Sequence, residues 1–593
     1  MIGEENGSYE FGHFYLDGVR RCLLKNGQPV HLTTKAFEVL LLLIQNGGQI
    51  VEKETFMSVV WPNSFVEESN LTVSISMLRK ALGDNHGTHR YVETVSGRGY
   101  RFAARVRSVS GDEGTLREAL TLAESSNNGR ADSPEVAPCV LAILPLTNAG
   151  NEQHLEPVVD GLTENIINAL SQLPHLRVLA RDTVFRYKDR AVDAQPAGRE
   201  LGARAVLRGS AVRLNKTLVI SVELIDVEDG TQIWSAQYKR PLSSILTTQT
   251  ELAQALAAAL CLKLTGEEKR RLAKRYTHNT DAYNLYLKGR YFWNKYAAKF
   301  VKKGIEYFQQ AIEIDSSYAL AYAGVADCYF RLSAVHLHPK EALPKASAAA
   351  HKAVEIDDSL AEAHVSLAMI KVWYDYDWPG AEQEFRRALE INPGAPLARQ
   401  RYGEYLMFME RFDEALEELQ LAQTLDPLSL WIGVSLGTNL YLMGRHEEAI
   451  KQLQNVLEME PHYYPARFCL GMIYLQQRRH ARAIAEFQRA QEIEADSSFA
   501  SGFIGYAYAI SGEREKAEKI LKALLEKPSG VYVSPYSIAL INVGLEEKGQ
   551  AFKWLEELYE DHNEWILWLR VAPEFEGLRA DPRFTGLLKR IGL

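Results

Sequence analysis

Ala381, Ala415, Ala449, Ala483, Ala517 and Ala551 stand 34 residues apart. Gly403, Gly437, Gly471 and Gly505 keep the same step, and so do Pro393, Pro427 and Pro461. This period leaves little choice of architecture. Small side chains are needed where two helices touch closely, and proline ends a helix because it lacks an amide hydrogen and clashes with the preceding turn. A 34-residue repeat of this kind is one helix–turn–helix unit. It cannot bury its apolar face alone, so successive units stack into a continuous core. Weaker copies around AIEID at 311 and AVEID at 353 bring the count to about eight units, while the tail from Trp554 onward breaks the period and is expected to cap the stack.

The pattern resembles the tetratricopeptide (TPR) family. The resemblance implies an α-solenoid over residues 279–571 with a C-terminal cap at 572–593, and a concave surface for a protein or peptide partner. Acidic and aromatic residues such as those of VWYDYDWPG (372–380) either line that surface or pack within the stack.

Upstream, residues 108–138 are rich in Ser, Gly, Asp, Glu and Pro and suit a solvated linker. From Val140 an α/β pattern runs to about 265: strand VLAILPL, a helix around DGLTENIINALSQL, strand LRVLAR, then two alternating runs, ARAVLRGSAVR and LVISVELID, the second joined to TQIWSAQYKR through VEDG. These motifs resemble the TolB-like (FlgO-like) domain, which implies no catalytic residue. Asp160, Gly161 and Glu164 are expected to form a helix start with an acidic first turn.

Residues 1–107 mix short strands and helices. LTTKAFEVLLLLIQNGG predicts a helix with Phe37, Leu40, Leu41 and Ile44 on one stripe, closed by Asn46, Gly47 and Gly48; a shorter helix in KETFMSVVW stops at Pro62. A third follows Glu67, Glu68 and Ser69, with Leu71, Ile75, Leu78 and Leu82 toward the core. Its opposite face carries Asn70, Val73, Ser76, Met77 and Lys80, with Arg79 on the flank. That face either reads a DNA groove, Asn pairing with adenine and Val or Met meeting a thymine methyl, or packs under another element. From Arg79 to Arg107 seven basic residues face two acidic ones, a local excess of 7 − 2 = +5 in a chain of net charge −9. Within this stretch ETVSGRGYRF (93–102) is a phosphate-cradling loop, a hairpin tip lying on nucleic acid, or an ordinary tight turn.

The blocks FEVLLLLIQNGGQIVEKETFMSVVW, VEESNLTVSISMLRKALGD and YVETVSGRGYRF together resemble the OmpR/PhoB-type winged helix-turn-helix domain over residues 9–104. The resemblance implies that Asn70 to Leu82 is a recognition helix for the major groove of double-stranded DNA and that ETVSGRGYRF is the wing. Gly97 and Gly99 then allow a tight hairpin, Arg98 and Arg101 approach the minor groove or its phosphates, and Tyr100 and Phe102 fill the core. Family members often carry several arginines along the recognition helix. Here the equivalent face offers Asn70, Val73, Ser76 and Met77, so side-by-side copies are expected to supply affinity by avidity. The family belongs to phosphorelay signalling and typically places a receiver domain first; here the winged helix comes first, so control is expected from the C-terminal side.

Enzyme signals are weak. GVSLG (433–437) matches a nucleophile elbow but falls inside a repeat helix, where Gly437 is explained by the period. His336 and His338 lack any HExxH companion, and the five cysteines are scattered and unpaired in sequence, consistent with a reducing compartment and small buried side chains. The longest apolar runs are too short to span a membrane. The expectation is therefore a multidomain α/β plus α chain: winged helix-turn-helix (1–107), linker (108–138), TolB-like α/β domain (139–265) and TPR solenoid. It is expected to act as a cytoplasmic one-component transcriptional regulator with no catalytic residue, cofactor or metal. Expected partners are double-stranded DNA, RNA polymerase, a protein on the TPR surface and further copies of the chain, with no membrane. The alternative is a TPR scaffold whose N-terminal domain no longer reads sequence.

Overall fold

The computed structural model describes residues 8–18, 22–25, 28–30, 32, 34–60, 71, 74–75, 78–79, 81–84, 91–95, 98–109, 139–188, 190, 193–215, 217–241, 244–260, 262, 264–295, 298–335, 337–494, 498–526 and 533–593. They fall into two compact units, one built on residues 1–137 and one on most of 138–593.

In the N-terminal unit, β1 (Ser8–Phe11), β2 (Phe14–Asp17), β3 (Cys22–Lys25) and β4 (Gln28–Val30) form an antiparallel meander. The helix α1 (Thr34–Gln45) follows, then β5 (Val51–Glu52), the helix α2 (Lys53–Val60), helical residues at 71, 74–75, 78–79 and 81–82, and the hairpin β6 (Val92–Val95) and β7 (Gly99–Phe102). The first two expected helices stand where the apolar spacing put them, and the described residues of the third are helical. Phe37, Leu40 and Ile44 are buried, joined by Ala36, Val39 and Leu43, whereas Leu41 is half-buried. The Asn46 amide donates to the Leu42 carbonyl at 2.7 Å, and Gly47 and Gly48 take φ of 56° and 83° to turn the chain out of α1. A last strand, β8 (Arg107–Val109), pairs with β1 through Ser8↔Val109, so the domain runs past residue 107 into the stretch that composition gave to the linker.

The central sheet comprises β9 (Cys139–Ile143), β10 (Thr147–Asn148), β11 (Leu176–Val178), β12 (Ala205–Leu214), β13 (Thr217–Asp226) and β14 (Gln232–Pro241). Its order is β11-β9-β12-β13-β14, with β10 beside β12 and the β11, β9 and β12 pairings parallel. Among the described residues, sixteen helices between Thr280 and Glu560 then make eight consecutive pairs. The tail's period break falls after residue 560, because Trp554 still belongs to the eighth pair's second helix.

All six period alanines are fully buried. The glycines explain themselves by what a side chain would strike: a Cβ on Gly403 would lie 2.8 Å from Leu419, on Gly437 2.9 Å from Leu453, and on Gly471 2.5 Å from Phe487. Each partner sits sixteen residues on, in the second helix of the same unit. Gly471→Ala should therefore cost about 1–3 kcal/mol, the range for overfilling a packed core, read as a lower urea midpoint.

The central domain is docked on this array by charge and by the repeat turns. In the helix Glu156–Ser171, Glu164 accepts from Arg290 Nη2 at 2.6 Å and from Asn294 Nδ2 at 3.1 Å, and pairs with Arg181 at 3.2 Å. Asp160 accepts from Lys188 at 2.6 Å, and Gly161 lies against Leu287, which a Cβ would meet at 2.5 Å. The expected acidic helix start is thus incorrect. Glu156 holds the first turn, and Gly161 and Glu164 face the first repeat helix, Thr280–Trp293. Two inter-unit turns one period apart complete the contact. Asn392 Nδ2 donates to Ser171 Oγ at 3.2 Å, and Asp426 Oδ1 accepts from Thr183 Oγ1 at 2.6 Å.

Candidate nucleic-acid interface

The wing is built from the core outward. Leu71, Ile75, Leu78 and Leu82 are at most 2% exposed and seat their helical residues on the domain, while Tyr100 and Phe102 anchor the hairpin. Phe102 packs edge-on against Phe11 at 5.0 Å, and Phe14 against Tyr91 at 5.4 Å, tying the hairpin to the N-terminal meander. The turn closes with the Arg98 amide donating to the Val95 carbonyl at 3.0 Å. Gly97 lies outside the described residues. Gly99 does not occupy a left-handed conformation; it is needed because β5 passes so close that a Cβ would stand 2.0 Å from the Val51 carbonyl oxygen. Its role is therefore close approach, not turning.

Two side chains fix the angle between helix and hairpin. Buried Asp84, just after Gly83 at φ 75°, accepts from the amides of Tyr91 at 3.0 Å and Val92 at 2.9 Å. Arg79 donates from Nε to the Val92 carbonyl at 3.2 Å and from Nη2 to Thr94 Oγ1 at 2.6 Å. Sequence counted Asp84 only as a charge diluting the basic cluster. Its position immediately after a helix-ending glycine was the one available sign that it caps a junction.

Of the expected DNA contacts, Arg98 is exposed at the hairpin tip, and Arg105 and Arg107 are exposed nearby in sequence. Arg101 is exposed but ion-paired with Glu93 at 2.6 Å. Arg79 is turned onto the hairpin. Asn70, Val73, Ser76, Met77 and Lys80 lie outside the described residues, as do Arg90 and the acidic turn Glu67, Glu68 and Ser69.

In the repeat array the first helices of successive units face one strip of chain, the tail itself. Trp565 meets Phe468 at 6.2 Å, Phe499 at 4.5 Å and Tyr536 at 5.2 Å, while Trp568 meets Phe408 at 5.5 Å and Phe575 meets Tyr536 at 5.4 Å. The Trp378 indole donates to the Ile591 carbonyl at 2.7 Å, and His562 stacks on Tyr376 at 5.9 Å. Residues of VWYDYDWPG are thereby spent on the tail. Burial pushes the Glu574 carboxyl up to about 7, with the Tyr441 hydroxyl acting against the rise. Ser435 lies inside the helix Leu430–Leu442 and donates to Glu404 at 2.8 Å, a structural role. His338 caps the helix Pro339–Ile356 by accepting from the Lys340 amide; His336 lies outside the described residues. Cys328 is buried, but Cys139 and Cys469 are half-buried. Among the described residues no group of His, Cys, Asp and Glu could hold a metal, and no helix is long and apolar enough to cross a membrane.

A winged helix locked to a hairpin, followed by an α/β domain and a helical-repeat array, defines a DNA-binding regulator architecture joined to TPR repeats. Residues 27–102 match the family described as transcriptional regulatory protein, C terminal; residues 137–255 the second domain of HilA/YgeH-like transcriptional regulators; and residues 434–498 the tetratricopeptide repeat. The family matched in the centre is thus the HilA/YgeH one, where a TolB-like domain was expected. The chain is 23% identical over 436 residues to the transcriptional regulator HilA of Salmonella typhimurium, 72% of each protein. It is 30% identical over 235 residues to putative adenylate cyclase 3 of Rhizobium meliloti, 39% of this chain and only 40% of that one. Among solved structures, the DNA-binding domain of E. coli CadC is 24% identical, covers 18% of this chain and all of its own, and has a TM-score of 0.17.

Proposed function

We propose that the chain is a cytoplasmic DNA-binding transcriptional regulator whose winged helix occupies promoter DNA and whose repeat array takes a protein partner. The observation that carries this is Arg98, unpaired and exposed at the tip of a hairpin that Asp84 and Arg79 hold to the helical residues around Leu78 and Leu82. The name of the relative HilA supports the same role. In this reading Asn70, Val73, Ser76, Met77 and Lys80 face the bases. Arg98 meets phosphate or minor groove, Arg101 joins it by releasing Glu93, and Arg79 positions the wing. The domains follow the order winged helix, linker, TolB-like α/β domain and TPR solenoid with cap. Bound copies side by side supply avidity, and RNA polymerase is the partner through which transcription responds.

Arg98→Ala in the full chain should weaken binding to duplex DNA and flatten the plot of log affinity against log salt by about 0.9, the value for one lost phosphate contact. Unchanged affinity and slope would remove the wing from the interface. The alternative, a scaffold without sequence preference, is separated by selection from random DNA, where enrichment of a motif supports the regulator.

A further inference from the structure

The first repeat carries a surface unlike the rest of the array. From Lys288 to Lys303 the sequence KGRYFWNKYAAKFVKK holds six cations and no carboxylate, in a chain of net charge −9. Arg290 is committed to Glu164, but Lys288, Lys295, Lys299, Lys302 and Lys303 form no ion pair among the described residues. In later repeats several exposed cations are neutralised along their own helix, Lys345 by Glu341 at 3.0 Å, Arg386 by Glu382 at 2.8 Å, Arg445 by Glu448 at 2.7 Å and Arg514 by Glu518 at 2.7 Å, while Lys451 and Lys589, which form no ion pair among the described residues, stand singly and not in a cluster.

Here aromatic rings take the place of carboxylates. Phe292 stacks on Tyr307 at 5.5 Å and on Phe300 at 6.1 Å. Lys295 sits 4.3 Å from the Tyr291 ring and 5.2 Å from Phe300, Lys303 sits 4.7 Å from Phe292, and Lys288 5.7 Å from Tyr307. A ring face holds an ammonium in place without cancelling its charge. The ammonium groups therefore keep their donors free and repel one another, a cost that a polyanion removes. Glu306, within reach on the same helix Ala298–Ile314, pairs with none of them.

We propose that this lysine–aromatic face grips the phosphate backbone of duplex DNA, giving the protein a sequence-independent contact separate from the winged helix. The class of polyanion rests on the DNA-binding reading above. Lys299 and Lys303 are one helical turn apart, a rise of about 6 Å, close to the separation of neighbouring phosphates on one strand, whose step combines an axial rise of about 3.4 Å with the winding of the backbone. The rings lie beneath lysines, so no bare apolar edge is offered for insertion into a bilayer. Contacts to phosphate hold and orient but read no sequence.

The test uses the full chain with Lys295→Ala, Lys299→Ala and Lys303→Ala combined, all at exposed positions, titrated with random-sequence duplex DNA at several salt concentrations. Three lost phosphate contacts should flatten the log–log salt slope by about 2.7 and weaken binding about tenfold or more at low salt. The Lys→Arg triple variant should restore both, and an unchanged melting temperature shows that the fold is intact. An unchanged slope overturns the proposal, as does unaltered DNA binding with loss of binding to polyglutamate, which makes the face a site for acidic protein. Arg98→Ala run in parallel keeps the two readings apart. A slope moved only by the lysines leaves this face standing and the wing rejected, and the converse result does the reverse.

Discussion

Glu164→Ala is expected to destabilise the unit formed by the central domain and the repeats by about 3–5 kcal/mol, because it leaves the largely buried Arg290 without its counter-charge. Burial alone would raise the Glu164 pKa, yet Arg290 and Arg181 hold it below the ordinary glutamate value, so the carboxylate is charged in the folded protein. Its side chain is 7% exposed, and those of Arg290 and Arg181 are 19% exposed. Removing it strands the Arg290 guanidinium, which also lies on Trp293, and leaves Arg181 with Asp182 at 3.3 Å as its remaining ion-pair partner. The neutral isostere Glu164→Gln keeps an acceptor for Arg290 and should cost less than the alanine. A urea titration comparing the two separates loss of charge from loss of shape. Equal midpoints for wild type and Glu164→Ala would mean that the ion pair contributes nothing to docking, which then rests on contacts such as Gly161 against Leu287 and the Asn392 and Asp426 turns.

The same residue shows where sequence stops being informative. A helix written in small and apolar residues at fixed spacing is legible because each choice answers to neighbours a few positions away; thus Gly471 and Ala483 could be assigned to a packed crossing before any fold was known. Glu164 answers to Arg290, 126 residues on, and nothing local distinguishes a carboxylate awaiting a distant guanidinium from one stabilising a helix start. Arg79 illustrates the limit on a shorter scale. Helical geometry put it on the flank of the expected groove-reading face, but a side chain that long can swing to the Val92 carbonyl, and backbone acceptors leave no mark in the sequence. The wing glycine was legible as a requirement and not as a cause: Gly99 had to be small, but the strand that presses on it, Val51–Glu52, is 47 residues earlier.

The tail was expected to cap the stack, and its packing leads to the last large effect. Trp565 touches aromatic residues of three successive repeat units, so Trp565→Ala should cost about 3–5 kcal/mol and raise the hydrogen-exchange rates of helices Tyr464–Gln476 and Ser498–Ile510. The interior of the array is open to a peptide only to the extent that this strip leaves it, which makes Trp565→Ala the variant to use when seeking a peptide ligand there. Glu574 gives the tail a pH dependence of determined sign. Its carboxyl rises from 4.5 to about 7 on folding, so the folded chain binds this proton more tightly than the unfolded chain. The packing is then strongest below pH 4.5, weakens as pH rises toward 7 and changes no further above it, over a span worth about 3 kcal/mol. Glu574→Gln should remove that share of the decline, leaving those of Glu564 and Asp426, whose carboxyls burial likewise pushes up to about 7, and should stabilise the protein above pH 7 while leaving it close to wild type at pH 4.5. Urea midpoints measured at pH 5 and pH 8 check both statements, and a wild-type midpoint that falls no further over that interval than the midpoint of Glu574→Gln would reverse the assignment of the buried carboxyl.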